Sequence, residues 1–434
     1  MLIEFGLKNY TSFKEKTLFS AETGERLRKY KYINTFENDD VSLLKNILIF
    51  GANGAGKSQL ISGLGRMQSM IINGTRTVTD RLNYTPFIFN PRTSKEPTSF
   101  YVKLKRKKNI YVYSFSYNLT SITKEKLGIV INGKTETYFE RENNEFTKIP
   151  DTLRNSVSKL RRNELFLYLA QQENDEYSSE VYRWFVEDLV FVNTSNGIPN
   201  SLKILMQQPE LKREMVSFLN FADFNITDIK VRKISINVPE KAQKIFQMME
   251  QKAPENFLQL YTIHEVYDDN GKLKGKDELP LEMESLGTQR LFFIVLAMIF
   301  SQINGNSKTL IIDEFDDSFH HELASALVNI FNSKQNNNQY ILTTHDYNLL
   351  NNNIRIDQIY FVEKDFMGCS KLESAFDFTD VRTNARHDIH LAKKYIQGVY
   401  GAVPVIDVEG LRKVLGNVNV NYSAINDRAS GNTK

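Results

Sequence analysis

The clearest chemistry in this chain lies in Gly51-Ala-Asn53-Gly54-Ala-Gly56-Lys57-Ser58, which has the spacing G-x-x-x-x-G-K-[ST]. Glycines at these positions let the backbone turn tightly, with several N–H groups aimed inward at phosphate oxygens. Lys57 adds a point charge for the β and γ phosphates, and Ser58 offers a hydroxyl to Mg²⁺. The apolar run Asn46 to Phe50 leads into the loop as a strand. Gln59 to about Ile72 follows as a helix closed by Asn73-Gly74, and its positive end points at the same phosphates. The stretch predicts binding of a nucleoside triphosphate, ATP, with Mg²⁺.

Three further stretches extend this chemistry. Thr309-Leu-Ile-Ile-Asp313-Glu314 is an apolar strand that delivers two carboxylates to a sheet edge. Asp313 suits a metal held through water, and Glu314 suits a general base that orients and deprotonates an attacking water. The plainer alternative is a buried strand with two solvated acids at its end. Gln339 to Thr344 repeats the design, with His345 just past the strand end, where it would contact a γ-phosphate. A lone histidine there can equally be structural. In open α/β sheets ligands sit beyond the carboxyl ends of the strands, so these termini should meet in one crevice. Ser285, Gly287 and Thr288 precede the apolar helix Leu291 to Phe300 and form a second anion site. One chain needs a single triphosphate cradle, so this second site makes sense capping the nucleotide of another subunit. A simple helix cap explains the same residues.

The elements that must position these residues are legible as blocks. A chain of 434 residues, 41% hydrophobic and 25% charged, is an ordinary globular composition with room for two or three lobes. The net charge of +3 is too small to imply nucleic acid by itself. The single cysteine, Cys369, excludes an internal disulfide and fits a reducing cytoplasm. The run Leu291 to Phe300 falls short of the roughly 20 residues that span a bilayer, so no membrane is expected and a buried helix is. Residues 1 to about 20 read as strand, turn and strand. Ser99 to Leu104 and Ile110 to Tyr117 read as a hairpin with a basic tip, Arg106-Lys-Lys-Asn109, and short strands follow over 126–147. Helical spacing runs from about 151 to 222, including Val181 to Val192 around Trp184. Strands return at Ile226 to Val238 and Phe257 to Val266, and a lysine-rich connection follows. From Ser285 onward β and α units alternate, which predicts a mostly parallel sheet.

Taken together, the phosphate loop with its Asn53, Ser285-Leu-Gly287-Thr288, Asp313-Glu314 with Asp316-Asp317-Ser318 after it, and His345 resemble the ABC-type ATPases of the RecF, OLD and SMC branch. Asn9-Tyr-Thr-Ser-Phe-Lys resembles that branch too. The resemblance implies two heads that close on two ATP molecules, each signature loop contacting the other subunit's γ-phosphate. Over nearly its whole length the chain is similar to the bacterial RloA and AbiL-type ATPases of anti-phage abortive-infection systems. The residues that carry this are Tyr360-Phe-Val-Glu-Lys-Asp365, Ala392-Lys-Lys-Tyr395, Tyr400 to Pro404, and Asn163-Glu-Leu-Phe-Leu167. Those families imply ATP-dependent control of a separately encoded effector, a nuclease or toxin. The signature differs from the Leu-Ser-Gly-Gly-Gln of transporters, which argues against a membrane permease. Gln171 and Gln172 are the candidates for a glutamine loop.

The fold expected is therefore α/β: a P-loop NTPase of ABC-ATPase type with a mixed sheet and an inserted α+β accessory lobe. Residues 1–90 and 281–417 would form the head, 91–280 the insertion and 418–434 a polar tail. A homodimer or higher oligomer through the ATP sites is expected. Nucleic-acid contact at the basic hairpin tip remains open, and a RecF-like DNA-repair ATPase is the alternative function. Val362-Glu363 and Val408-Glu409 resemble the opening glutamate of a TOPRIM nuclease, but no later Asp-x-Asp strand accompanies them. His320-His321 and His387-Asp-Ile-His390 lack a third ligand group and read as surface histidines.

Overall fold

The computed structural model describes residues 1–24, 27–37, 41–192, 198, 200–222, 224–235, 239, 243, 256–303, 308–377, 391–398 and 407–417. Strands β1 (Leu2–Lys8) and β2 (Thr17–Ser20) form the expected opening pair, paired antiparallel. Helix α1 (Lys31–Asn34) and the ribbon β3 (Thr35–Phe36) and β4 (Leu43–Leu44) lead to β5 (Asn46–Gly51). All six residues of β5 are buried, as a strand covered on both faces requires. Helix α2 (Lys57–Asn73) follows the phosphate loop and stops at Gly74, whose φ is 58°.

The next five strands form a meander: β6 (Thr98–Arg106), β7 (Asn109–Tyr117), β8 (Ile122–Ile131), β9 (Lys134–Glu142) and β10 (Glu145–Lys148). Phe100, Val102 and Leu104 are buried while Tyr101 and Lys103 alternate with them, so period two sets the face of β6. The strands over 126–147 are longer than the sequence suggests. β6 pairs in antiparallel register with β1, giving a seven-stranded sheet in the order β10-β9-β8-β7-β6-β1-β2. That sheet runs across the expected boundary at residue 91, because the open edge of β1 needs hydrogen-bond partners and β6 supplies them.

The helical stretch also differs from its expected course. Asp151–Lys159 is a 3₁₀ segment, and α3 (Phe166–Gln172) and α4 (Glu176–Arg183) follow. A π-helical turn, Trp184–Asp188, then delivers the chain to β11 (Leu189–Phe191). The helix expected over Val181 to Val192 therefore ends as a strand. Leu189, Val190 and Phe191 are apolar and short-run, and they complete the edge of the parallel sheet against residues 309–311. Helices α5 (Asn200–Leu205) and α6 (Pro209–Phe221) precede a three-stranded antiparallel sheet of β12 (Asp228–Ser235), β13 (Asn256–Tyr267) and β14 (Leu273–Pro280). The lysine-rich connection is thus largely β14.

The C-terminal elements are α7 (Leu286–Ile303), β15 (Thr309–Ile312), α8 (His321–Phe331), β16 (Gln339–Thr344), β17 (Ile359–Lys364), β18 (Ser370–Ser374), α9 (Leu391–Ile396) and α10 (Val408–Asn417). The six-stranded sheet has the order β11-β15-β16-β5-β17-β18, parallel throughout except for β18. Its alternating residues feed two cores. Ile47, Ile49, Ile311 and Ile341 face the core shared with the antiparallel sheet, while Leu48, Phe50, Leu310 and Leu342 face the core shared with α6, α7 and α8. Helix α7 is, among the described residues, long and apolar enough to cross a membrane by length and composition. Leu291, Phe292, Ile294, Val295 and Leu296 are buried in the second core, which is the buried helix the sequence predicts. The architecture is α/β with a mixed sheet, and the phosphate loop follows its strand β5.

Candidate functional site

The phosphate loop spans the gap between β5 and α2, and its shape depends on two glycines. Gly56 occupies the N-cap of α2 with a φ of 122°, so the first turn of the helix has no side-chain cap. A Cβ at Gly56 would lie 2.5 Å from Ser370 Oγ; Gly54, at φ 75°, has open space where a Cβ would stand. The loop is braced from behind, since Ser370 Oγ donates to the Ala55 carbonyl at 2.6 Å and lies 2.8 Å from Ser12 Oγ. Lys57 is folded back, donating to the carbonyls of Gly51 at 2.7 Å and Ala52 at 3.2 Å, with its Nζ 3.2 Å from His345 Nδ1. Burial lowers the Lys57 pKa, and attraction from Glu314, Asp313 and Asp316 opposes that shift.

The strand order explains how His345 arrives here. β16 lies between the phosphate-loop strand β5 and the acid strand β15, so the residues after all three strands converge. His345 Nε2 is 3.7 Å from Glu314 Oε1. Glu314 has a left-handed φ of 48°. Its N–H donates to Thr343 Oγ1 at 2.6 Å, and that hydroxyl donates in turn to the Asp313 carboxylate. Asp316 accepts the Asp346 N–H at 3.2 Å, and burial raises its pKa. A cleft of about 730 Å³ is lined by Asn53, Gly54, Gly56, Lys57, Ser58, Glu314 and His345. An adjoining cavity of about 700 Å³ shares Ser58 and Glu314 with it and reaches Asp313.

This donor set fits a triphosphate with Mg²⁺. An uncapped helix start, an open glycine and a lysine bonded only to main-chain carbonyls and a histidine can all turn to an anion. A serine hydroxyl and a carboxylate on one cavity wall are hard oxygen ligands of the kind Mg²⁺ takes.

Ser285, Gly287 and Thr288 stand elsewhere. Ser285 Oγ accepts the Thr288 N–H at 3.1 Å and lies 2.8 Å from Thr288 Oγ1, a cap on α7. Ser285 and Gly287 line a different concavity of about 750 Å³ that also includes Phe221 and Phe319. A Cβ on Gly287 would fall 2.8 Å from the Ser318 carbonyl, so this turn packs against the loop following Asp313-Glu314. Within one chain it does not line the cleft that holds Lys57.

Sequence reasoning missed several residues. Arg290 donates to Asp317 at 3.0 Å and to the Asp313 carbonyl at 2.9 Å, tying α7 to the acid turn; its place two residues after Thr288 was the available signal. Thr343 carries no signal in the sequence, and Lys364, which lines the cleft, is legible there only within the Tyr360 to Asp365 resemblance. Gln171 and Gln172 line neither cavity. Their helix instead begins where Phe166 and Leu167 N–H groups donate to the buried Glu125 carboxylate at 2.8 and 2.9 Å. At the hairpin tip Arg106 pairs with Glu180, Glu187 and Asp188, and Lys107 pairs with Glu180, so both charges are neutralised within the chain. Val408-Glu409 opens helix α10 rather than a strand. His320 pairs with Glu322 and His321 with Asp346, and no metal-binding cluster occurs among the described residues. His387 to His390, Tyr400 to Pro404 and the 418–434 tail lie outside the described residues.

A family model described as "AAA domain, putative AbiEii toxin, Type IV TA system" matches residues 47–351. No curated protein matches the chain. Among solved structures, an SMC head bound to the C-terminal winged-helix domain of ScpA is 14% identical at a TM-score of 0.41, with 86% of this chain and 97% of that one covered. The SMC head domain from Thermotoga maritima is 11% identical at 0.39, covering 86% and 98%. An SMC head with an extended coiled coil, bound to the C-terminal domain of ScpA derived from Pyrococcus furiosus, is 13% identical at 0.40, covering 89% and 99%.

Proposed function

The chain belongs to this AAA family, and we propose that it binds ATP with Mg²⁺, hydrolyses it, and couples that cycle to a partner effector. The observation that carries the reading is the convergence of Lys57, Glu314 and His345 at the ends of three adjacent parallel strands, with Nζ 3.2 Å from His345 Nδ1 and Oε1 3.7 Å from His345 Nε2. Lys57 leaves its carbonyl partners for the β and γ phosphates. The phosphate-loop N–H groups, with Asn53, Gly54 and Gly56 shaping the loop, surround the same oxygens. Ser58 and Asp313 would hold Mg²⁺, which when bound would neutralise charge at the transferring phosphoryl group. Glu314 orients the attacking water and takes its proton, and His345 contacts the γ-phosphate.

Glu314→Gln keeps the shape and removes the base. We expect turnover to fall at least about 100-fold, within the range general-base catalysis supplies, while ATP binding persists. A variant that hydrolyses ATP at the wild-type rate removes Glu314 from this role.

Ser285, Gly287 and Thr288 would complete the cleft of a second subunit, which makes the working species a homodimer. Their absence from the lining of the cleft that holds Lys57 supports that arrangement. The similarity to RloA and AbiL-type ATPases and the toxin–antitoxin wording of the family description support anti-phage defence in the cytoplasm, with a separately encoded nuclease or toxin as effector. The accessory lobe of this reading centres on α5, α6 and β12 to β14, since β6 to β11 are hydrogen-bonded into the two main sheets. The RecF-like alternative loses support at the hairpin tip, where Arg106 and Lys107 are already ion-paired.

A further inference from the structure

Thr343 lies on β16, two residues before His345, and is fully buried. Its hydroxyl accepts the Glu314 N–H at 2.6 Å and donates to the Asp313 carboxylate. Its carbonyl accepts the Phe315 N–H at 3.1 Å. One residue on the middle strand thus holds three consecutive positions of the neighbouring acid turn. That turn needs holding, because a non-glycine residue with φ of 48° is in a sparsely populated conformation that persists only where its surroundings enforce it. The chemistry at position 343 is restrictive. A group there must accept from an amide and donate to a carboxylate from one atom, which a hydroxyl does and a methyl of the same size does not.

We propose that Thr343 is a positioning residue for the acid pair: its hydroxyl commits one oxygen of Asp313, leaving the other for the metal, and fixes the backbone from which Glu314 reaches the water. The proposal rests on the ATPase reading. It also gives the strand carrying His345 a direct link to the metal ligand, so the γ-phosphate contact and the metal site share one support.

The test compares Thr343→Val, Thr343→Ala and Thr343→Ser with wild type, reading ATP turnover, binding of a fluorescent ATP analogue without metal, and the Mg²⁺ concentration that half-saturates the metal-dependent gain in that binding. Loss of the hydroxyl in the Val and Ala variants should lower turnover and raise the half-saturating Mg²⁺ by about 10–100-fold, the usual effect of removing a ligand's supporting hydrogen bond. Metal-free binding should change by no more than about twofold, because the phosphate loop is untouched. Thr343→Ser should restore both. A packing role would give the opposite order, with Val tolerated and Ser impaired. The proposal is overturned if Val, or Ala where Val does not purify folded, keeps the wild-type Mg²⁺ requirement, or if Ser is as impaired as Ala. Wild type without turnover sinks the ATPase reading alone, and the Mg²⁺ titration still decides the role of Thr343.

Discussion

At the scale of single residues, the cleft concentrates more negative charge than the motifs announce. Asp316 joins Asp313 and Glu314 beside Lys57, and burial raises its pKa above the ordinary 3.8, with Asp346 adding repulsion. The folded protein therefore holds a proton on Asp316 more tightly than the unfolded chain does. Its ionised form destabilises the fold at neutral pH, and that cost is relieved as pH falls through the raised value towards 3.8. Asp316→Asn should accordingly raise the melting temperature at pH 8, with the gain shrinking as the pH approaches 4. Melting curves across that range check it, and a gain independent of pH would assign the effect to packing. The sequence displayed the acid pair and the lysine. It showed Asp316 only as part of a resemblance and gave no sign of the role of Thr343, because both act through neighbours 30 positions away in the chain.

At the scale of elements, the joint between the antiparallel sheet and the helices rests on a buried ion pair. Arg141 on β9 and Glu125 on β8 are both fully buried, with Nη2 to Oε2 at 2.6 Å. Glu125 also accepts from Tyr113 and from the first N–H groups of α3, and Arg141 donates to the Glu164 carbonyl. The Asn163 to Leu167 stretch, which the sequence offers only as a resemblance, is anchored by this cluster and by Asn163 donating to the carbonyls of Thr77 and Asp80. Arg141→Met leaves the carboxylate buried without its cation and should cost about 3–5 kcal/mol. Urea unfolding measures this, and Glu125→Gln combined with Arg141→Met should lose less than the sum of the single variants. A loss below about 1 kcal/mol would mean that the N–H donors of α3 and Tyr113 suffice for Glu125.

At the scale of the whole molecule, the separation of Ser285 to Thr288 from the cleft makes oligomeric state the decisive observable. Glu314→Gln with MgATP should run as a dimer in size exclusion with light scattering, while Lys57→Ala under the same conditions should remain at the mass of the nucleotide-free protein. Gly287→Ala, which would place a Cβ 2.8 Å from the Ser318 carbonyl, should impair the dimer without abolishing nucleotide binding by the separate cleft. Dimers of equal strength with and without nucleotide would uncouple assembly from ATP.

The sequence by itself determined the local chemistry: the phosphate loop, the acid pair, His345, and the strands and helices around them, among which β16 occurs with the bounds read from its pattern. These are short-range properties, set by glycine and lysine spacing and by hydrophobic period. Tertiary structure alone decided that β16 stands between β5 and β15, that β6 closes onto β1, and that β11 ends a helical stretch as an edge strand. Strand pairing is settled by which unpaired backbone edges meet across long stretches of chain, and no periodicity within a segment records that. The same physics hid Thr343: a hydroxyl in an apolar strand looks like any β-branched residue until the neighbouring strand turns an amide and a carboxylate towards it.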